Sequence, residues 1–559
     1  MKLRLLFCAI LACPLALVAG QGQSRPAPTA TVSDIPHLRK QGTATQLIVD
    51  GKPFLALAGE LLNNSATGIE HMKPIWPKLV ASKFNTVLAG VSWAQIEPLE
   101  GKFDFTVPDG IIRDARSHNL HLVLLWFGTW KNSLSSYPPD WLKKDFERFP
   151  RAQFADGTSI ELLSPLSDAS RDADARAFAA LMRHIKAVDG QQHTVVMIQV
   201  ENEVGMHRES RDHSPTANKA FAGPVPKELM DYLQQHKDTL IPEFRKVWEA
   251  AGFKTSGTWE EVFGKSAVTD GYFMAWNIAR YIGRVAEAGK AEYPLPMFCN
   301  AALYGVGRGA VQPSSGGRPW DFVMDVWRAA APKIDMLSPD IYSEGDFMAF
   351  CAKYTQSGNP LFIPETGNGP SVAPRALYAF GRHDAIGFSP FGIDRPDRLG
   401  NSPDLTGVYD LLSRAAPLIL AHQGNGSMSA VLLGPKDPPQ KVQLGNYTLQ
   451  VAPWPIRYTM PLLMPGEPPP GNPPPAAVIL IAAGPDEFYA IGSGVKITFS
   501  PNTPGPPFAG LGTVEQGTFV DGRWAPDIRL AGDDTGQGED LFELQRHMGI
   551  QRFTLYRYR

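Results

Sequence analysis

From about residue 50 to residue 390, short β-branched or apolar runs alternate with longer amphipathic stretches. This pattern predicts repeated βα units around a parallel sheet. The strand-like runs are residues 54–58, 86–90, 120–125, 195–200, 296–299, 334–337, 361–363 and 385–388. Helix-spaced apolar positions lie between them, over 111–118, 173–188, 271–289 and 374–380. Eight strands with intervening helices are what a closed (β/α)8 barrel requires, so an α/β fold of that kind is expected. The competing doubly wound open sheet would carry a Gly-rich phosphate loop after its first strand, and residues 59–64 hold no such loop. The longest insertion, residues 206–270, falls between the fourth and fifth strands.

After about residue 415 the pattern changes to short runs at 424–433, 441–445, 447–451 and 477–482, separated by turns. A smaller, mostly β, sandwich-like domain is expected there. Its proline-rich stretch, 465–475, can be neither helix nor inner strand and reads as an exposed polyproline-like connector. At the other end, Lys2 and Arg4 precede an apolar run over 5–18 that closes in small residues. That is the form of an export signal, too short to span a bilayer, which needs ~20 residues. Residues 10–13 also loosely resemble a lipoprotein box. The expected organisation is a leader over 1–20, a barrel over 21–415 and a β domain over 416–559, in a periplasmic or secreted protein with no membrane span.

Composition narrows the partners. The 559 residues include 53 Lys+Arg against 56 Asp+Glu, a formal charge of −3 without long runs of one sign. Nucleic acid and anionic membrane are therefore not expected partners. With 50 Pro and 52 Gly, many loops must join the regular elements, which suits function carried by loops. Cys8 and Cys13 would leave with the leader; Cys299 and Cys351 sit in apolar surroundings where free thiols are common. His118 and His121 fall on different elements with no third ligand close in sequence, so no metal and no cofactor is expected. The β domain is a candidate surface for a homodimer.

Catalytic groups of such barrels lie just past the carboxyl ends of the strands. Two segments place a carboxylate there: Ile198-Gln-Val-Glu-Asn-Glu-Val-Gly205 after the fourth strand and Leu361-Phe-Ile-Pro-Glu-Thr-Gly367 after the seventh. Two acids facing each other across a substrate are what glycoside cleavage needs, one neutral to protonate the leaving oxygen and one ionised to attack the anomeric carbon. Either segment alone could equally be a solvated strand end or an Arg-paired carboxylate.

The chain is similar to the clan A glycoside hydrolases and, within the clan, resembles family 35, the β-galactosidases, over about residues 45–395. The resemblance rests on Asn85-Thr-Val-Leu-Ala-Gly-Val-Ser-Trp93, Ile96-Glu-Pro-Leu-Glu-Gly-Lys-Phe-Asp-Phe105 and Gln199-Val-Glu-Asn-Glu203. It implies that Glu203 is the acid/base, Glu365 the nucleophile, Asn202 the partner of the hydroxyl beside the anomeric carbon, and Tyr342 a donor to the nucleophile. Asn300 then matches a substrate-contacting position, and Glu60 a mouth position able to accept from sugar hydroxyls. Glu201 either contacts hydroxyls or is tied to neighbouring backbone. For ring stacking the candidates are Trp126 first, then Trp93, Trp130 and Trp276, with core packing as the alternative for each, and Lys131 and Asn132 could donate to hydroxyls. Residues 58–64 and 363–367 depart from the family's usual sequences, and 514–533 resembles the closing hairpin of a bacterial branch with a β domain. The implied activity is a retaining, exo-acting β-galactosidase on plant-type oligosaccharides. Another glycoside (β-glucoside, β-mannoside or α-L-arabinopyranoside), or a carbohydrate-binding barrel without turnover, is the alternative.

Overall fold

The structure is a computed structural model that describes residues 35–304, 314–343, 345–395, 397, 403–453, 475–541 and 548–559. The expected leader with Cys8 and Cys13, and the proline-rich residues 465–474, lie outside the described residues.

Eight parallel strands form the central sheet: β1 (Ala56–Glu60), β2 (Thr86–Ser92), β3 (His121–Lys131), β4 (Val195–Asn202), β5 (Met297–Ala302), β6 (Met336–Asp340), β7 (Phe362–Ile363) and β8 (Gly387–Phe388). Each overlaps one of the eight runs read from the sequence. Neighbours follow the order β6-β5-β4-β3-β2-β1-β8-β7, and a parallel bridge between Ile341 and Thr366 joins the two ends into a barrel. Side chains along β3 divide by parity, as a pleated strand requires. Val123, Leu125 and Phe127 join Val196, Phe298, Met336 and Phe362 in one apolar cluster, which is the barrel interior. Leu122, Leu124 and Trp126 join the cluster that includes the surrounding helices.

Those helices include α1 (Asp168–Asp189), α2 (Ala267–Glu292), α3 (Val372–His383) and α4 (Pro403–His422). The Ser167 side chain caps α1 by accepting from the Ser170 N–H, and Ser266 caps α2 through Thr269. The 206–270 insertion is itself helical, with segments Pro215–Phe221, Lys227–Gln235, Pro242–Ala250 and Trp259–Phe263. An antiparallel hairpin, Ala44–Val49 with Lys52–Phe54, sends Leu47 and Val49 into the interior cluster at the barrel's amino-terminal end.

Helix α4 spans the division drawn at 415/416. Its Tyr409 hydroxyl donates to the backbone oxygens of Ala58 and Phe388, which ties it to β1 and β8 as the last helix of the barrel. The β region begins after it as two antiparallel sheets. The larger contains β9 (Met428–Leu433), Ala476–Ala482, Glu487–Ser493, Phe508–Val520, Arg523–Leu530 and Gly549–Tyr558; the smaller contains Gln440–Leu444, Tyr447–Pro453, Val495–Pro501 and Asp540–Leu541. Residues 476–482 read as an unbroken apolar run because both faces are covered. Ala477, Ile479 and Ile481 pack toward the barrel, while Val478 and Leu480 pack between the sheets. At Gly381 in α3 a Cβ would stand 2.8 Å from the Ala430 Cβ, so only glycine lets this helix lie so close to the sheet. Cys299 and Cys351 are buried and unpaired. No helix among the described residues is long and apolar enough to cross a membrane.

Candidate active site

Strand β4 delivers the first half of the site by breaking its own alternation. Glu201 and Glu203 have φ of 62° and 44°, left-handed values that non-glycine residues adopt at a cost and that cluster at functional sites. Asn132 and Ser133, just past β3, are also left-handed, with φ of 51° and 60°. Their N–H groups donate to the backbone oxygens of Asn202 and Glu203, wrapping one strand end around the other.

The result separates residues that the sequence places side by side. Glu203 enters the mouth, where Asn132 Nδ2 donates to Glu203 Oε2 and the Glu203 N–H donates to Asn300 Oδ1 at 2.9 Å. From the far side of the barrel comes Glu365, just beyond β7. Its Oε2 accepts from the Tyr342 hydroxyl at 2.6 Å, and its Oε1 lies 3.3 Å from both Asn202 Nδ2 and Asn300 Nδ2. Lys131 Nζ donates to Asn202 Oδ1 at 2.8 Å. Because an ammonium can only donate, that contact sets the orientation of the amide and leaves Nδ2 facing Glu365. Lys131 and Asn132 therefore engage protein groups rather than standing free.

Glu203, Asp340 and Glu365 have carboxylate oxygens within 4.8 Å of one another, the spacing at which a cation could also be held. Among the oxygens of these three groups, Glu203 Oε2 accepts from Asn132, Asp340 Oδ2 from Asn300, and the two Glu365 oxygens from Asn202, Asn300 and Tyr342. Burial, followed by the nearby Glu365 charge, pushes the Glu203 carboxyl up to about 7. Asp340 is raised well above the usual carboxylate range by burial and then by Glu365 and Glu203. Carboxylates this close cannot all ionise together. On the Glu203 side, Arg318 donates to His207 Nδ1 at 2.8 Å, and its charge bears on Glu203. A cavity of about 430 Å³ opens there, lined in part by Met206, His207, Tyr304, Arg318 and Trp320.

The structure thus brings Glu203, Glu365, Asn202, Asn300 and Tyr342 together, with Glu60 buried at the end of β1 beside them. Three expectations change. Glu201 takes the second of its two readings: it is fully buried, its oxygens accept from the N–H groups of Thr129 and Trp130, and it faces Asp174 of α1 rather than the mouth. Trp126 is not a stacking platform. It points out of the barrel wall, fully buried against Phe178, with Nε1 donating to Asp174 Oδ1 at 2.8 Å. Trp93, Trp130 and Trp276 are likewise core residues, whereas the ring of Tyr342, beside Glu365, is 47% exposed. Asp340 and Arg318 were missed. Asp340 ends a strand with a carboxylate, the same signal that exposed Glu203 and Glu365; Arg318 lies in an irregular loop with no periodic signal.

Comparison with known proteins bears on the barrel and the β region separately. Residues 70–266 match the profile of the β-galactosidases of glycoside hydrolase family 42, and residues 405–542 match that of a domain of unknown function, DUF5597. A β-galactosidase of Xanthomonas manihotis is 27% identical over 209 residues, covering 36% of this chain and only 32% of that protein's length. Among solved structures, a β-galactosidase from Bacillus circulans sp. alkalophilus is 17% identical with a TM-score of 0.44, covering 66% of this chain and 57% of that one. Gan42B, a GH42 β-galactosidase, is 11% identical with a TM-score of 0.48, covering 90% and 98%. Over residues 70–266 the chain is thus similar to the family 42 β-galactosidases, and the family number suggested by its motifs, 35, is not confirmed.

Proposed function

We propose that this protein is a retaining, exo-acting β-galactosidase that removes terminal β-D-galactosyl residues from oligosaccharides of plant type. The observation that carries the reading is the pairing of Glu203 and Glu365 across the barrel mouth, with oxygens inside 4.8 Å. A separation of ~5 Å between the two carboxyl groups leaves no room for a water between acid and sugar, so the second carboxylate attacks directly.

In this reading Glu365 Oε attacks the anomeric carbon while the Glu203 carboxyl gives its proton to the departing glycosidic oxygen. The covalent glycosyl ester then loses its sugar to water, which Glu203, now a carboxylate, deprotonates. Holding Glu203 up to about 7 keeps it protonated in the resting enzyme at mildly acidic pH. Tyr342 and the two amides fix the attacking carboxylate, and Asn202 Nδ2 is set to meet the hydroxyl beside the anomeric carbon. The leaving portion of the substrate would lie on the Glu203 side, where the cavity beside Arg318 and His207 opens. We further propose export, from the leader-like residues 1–20.

The test is release of nitrophenol from aryl β-galactoside, β-glucoside, β-mannoside and α-L-arabinopyranoside by the wild-type protein and Glu365→Gln. Galactoside turnover that falls by roughly 10⁴-fold or more in the variant is expected. Preference for another sugar would discard the galactose assignment and keep the chemistry. Sugar binding without turnover would make this a carbohydrate-binding barrel.

A further inference from the structure

Glu60 is 1% exposed, and neither of its carboxylate oxygens has a hydrogen-bond partner among the described residues. Native proteins seldom leave a buried polar group so, and an unmatched ionisable one is costlier still. Nothing about its position is loose. The Glu60 N–H donates to the Pro390 oxygen at 2.9 Å, and its own oxygen accepts from the Ile393 N–H at 3.1 Å, which holds the end of β1 on both sides. The charges that bear on the side chain are those of Glu365, Lys131 and Glu203, so it faces the catalytic cluster. Lys131 spends its ammonium on Asn202 instead.

The chemistry of a matching ligand follows. Burial raises the Glu60 carboxyl well above the usual range, and two O–H or N–H donors from a ligand would favour its ionised form and satisfy both oxygens. A cluster of Glu60, Glu203, Asp340 and Glu365, answered within the mouth by Lys131 and on its flank by Arg318, repels an anionic sugar. Asn300, Asp340 and Tyr342 occupy the short arc of the barrel between β4 and β7, whereas β1 lies in the long arc. A ring with its anomeric carbon between Glu203 and Glu365, and its neighbouring hydroxyl on Asn202, turns its far edge toward that long arc.

We propose that Glu60 reads the glycone: its two free oxygens accept from two adjacent hydroxyls on the ring edge remote from the anomeric carbon, selecting neutral sugars that carry both. The inference rests on the glycosidase reading of the cleft and adds to it the residue that sets sugar specificity.

The experiment compares wild type with Glu60→Gln on the nitrophenyl β-galactoside and its 3-deoxy and 4-deoxy analogues, reading kcat/KM, and on the corresponding free sugars, reading Kd. In the wild type each missing hydroxyl should cost about 10- to 100-fold, the range for a hydrogen bond to a charged group. In Glu60→Gln the intact substrate should suffer a loss of that order, and removal of either hydroxyl should then cost under about 3-fold. Its Tm should not fall, because the substitution removes an unmatched buried acid. Equal deoxy penalties in both proteins, or a lowered Tm with unchanged sugar preference, would make Glu60 structural and overturn the proposal while leaving the glycosidase intact. A wild type that neither cleaves nor binds any neutral sugar would overturn both readings. Should Glu60→Gln not fold, Glu60→Asp, which withdraws the carboxylate by one methylene, is read in the same way.

Discussion

Two sets of buried carboxylates lie on opposite sides of the same strand end, and they differ in what satisfies them. Behind β4, between barrel wall and helix α1, Glu201 accepts from the N–H groups of Thr129 and Trp130. There Asp174 accepts from Trp126 Nε1 at 2.8 Å and from Thr129 Oγ1 at 2.6 Å. Each of these four oxygens has a donor from the protein. In front of β4, both oxygens of Glu60 and Oδ1 of Asp340 have none among the described residues, although Glu203 and Glu365 stand close by. Burial and charge alone do not distinguish the two sets, since Glu201 and Glu60 are both raised well above the usual carboxylate range, each first by burial. The difference is in the donors. Carboxylates whose oxygens all have protein donors belong to the framework, whereas the oxygens without one at the barrel mouth are open to a donor from outside the protein.

The sharpest way to break this comparison is to replace the two glutamates of β4 in turn. Glu203→Gln should lower kcat/KM by roughly 10²- to 10⁴-fold on substrates with poor leaving groups, and far less on a dinitrophenyl glycoside that departs unaided, with Tm unchanged. Glu201→Gln should do the reverse. Its amide N–H would oppose the Thr129 or Trp130 N–H, removing about 1–3 kcal/mol of stability in denaturant titration while the folded fraction keeps its kcat/KM. Should the two variants exchange these outcomes, the assignment of faces is wrong.

Trp126→Phe is a smaller version of the same contrast. It deletes the donor to Asp174 and should cost about 1–2 kcal/mol with KM unchanged; a raised KM would restore Trp126 to the sugar site. The pH dependence sharpens the front set. On the proposed mechanism the acid form of Glu203 is the active one, so kcat/KM should decline as pH rises through about 7, and this limb should vanish in Glu203→Gln. Stability runs in the same direction. Between the unfolded value of 4.5 and about 7 the folded protein binds the extra proton, so that contribution is fully present below 4.5 and lost as pH rises through 7. The raised Glu60, Glu201 and Asp340 add to this trend, so Tm should be lower at pH 8 than at pH 5.

Much of the scaffold was legible because its signals are local. The eight strands announce themselves as apolar runs that cannot be exposed, and the first turns of α1 and α2 carry Ser caps. Glu203 and Glu365 were legible because a carboxylate closing an apolar run has one natural place in a parallel barrel, the carboxyl end of its strand. Asp340 carries the same mark and could have been read with them. The tryptophans were not legible in this way. In β3 an aromatic residue fits a buried wall position as well as a substrate platform, and only the parity of the strand separates Trp126 from the interior positions Leu125 and Phe127.

By itself the sequence determined the barrel's element order, the switch to β structure after the last helix, and the pair of glutamates brought to one end of the sheet. These depend on hydrophobic period and on residues near one another in the chain. Only the tertiary structure decided that Glu201 and Glu203 part company, that Lys131 orients Asn202, and that Glu60 is left without a partner among the described residues. The first follows from left-handed backbone at two non-glycine residues, which local propensity disfavours and surrounding packing must impose. The others depend on groups from strands far apart in sequence meeting at one mouth, and pairing of that kind is settled by the closure of the barrel rather than by any segment of it.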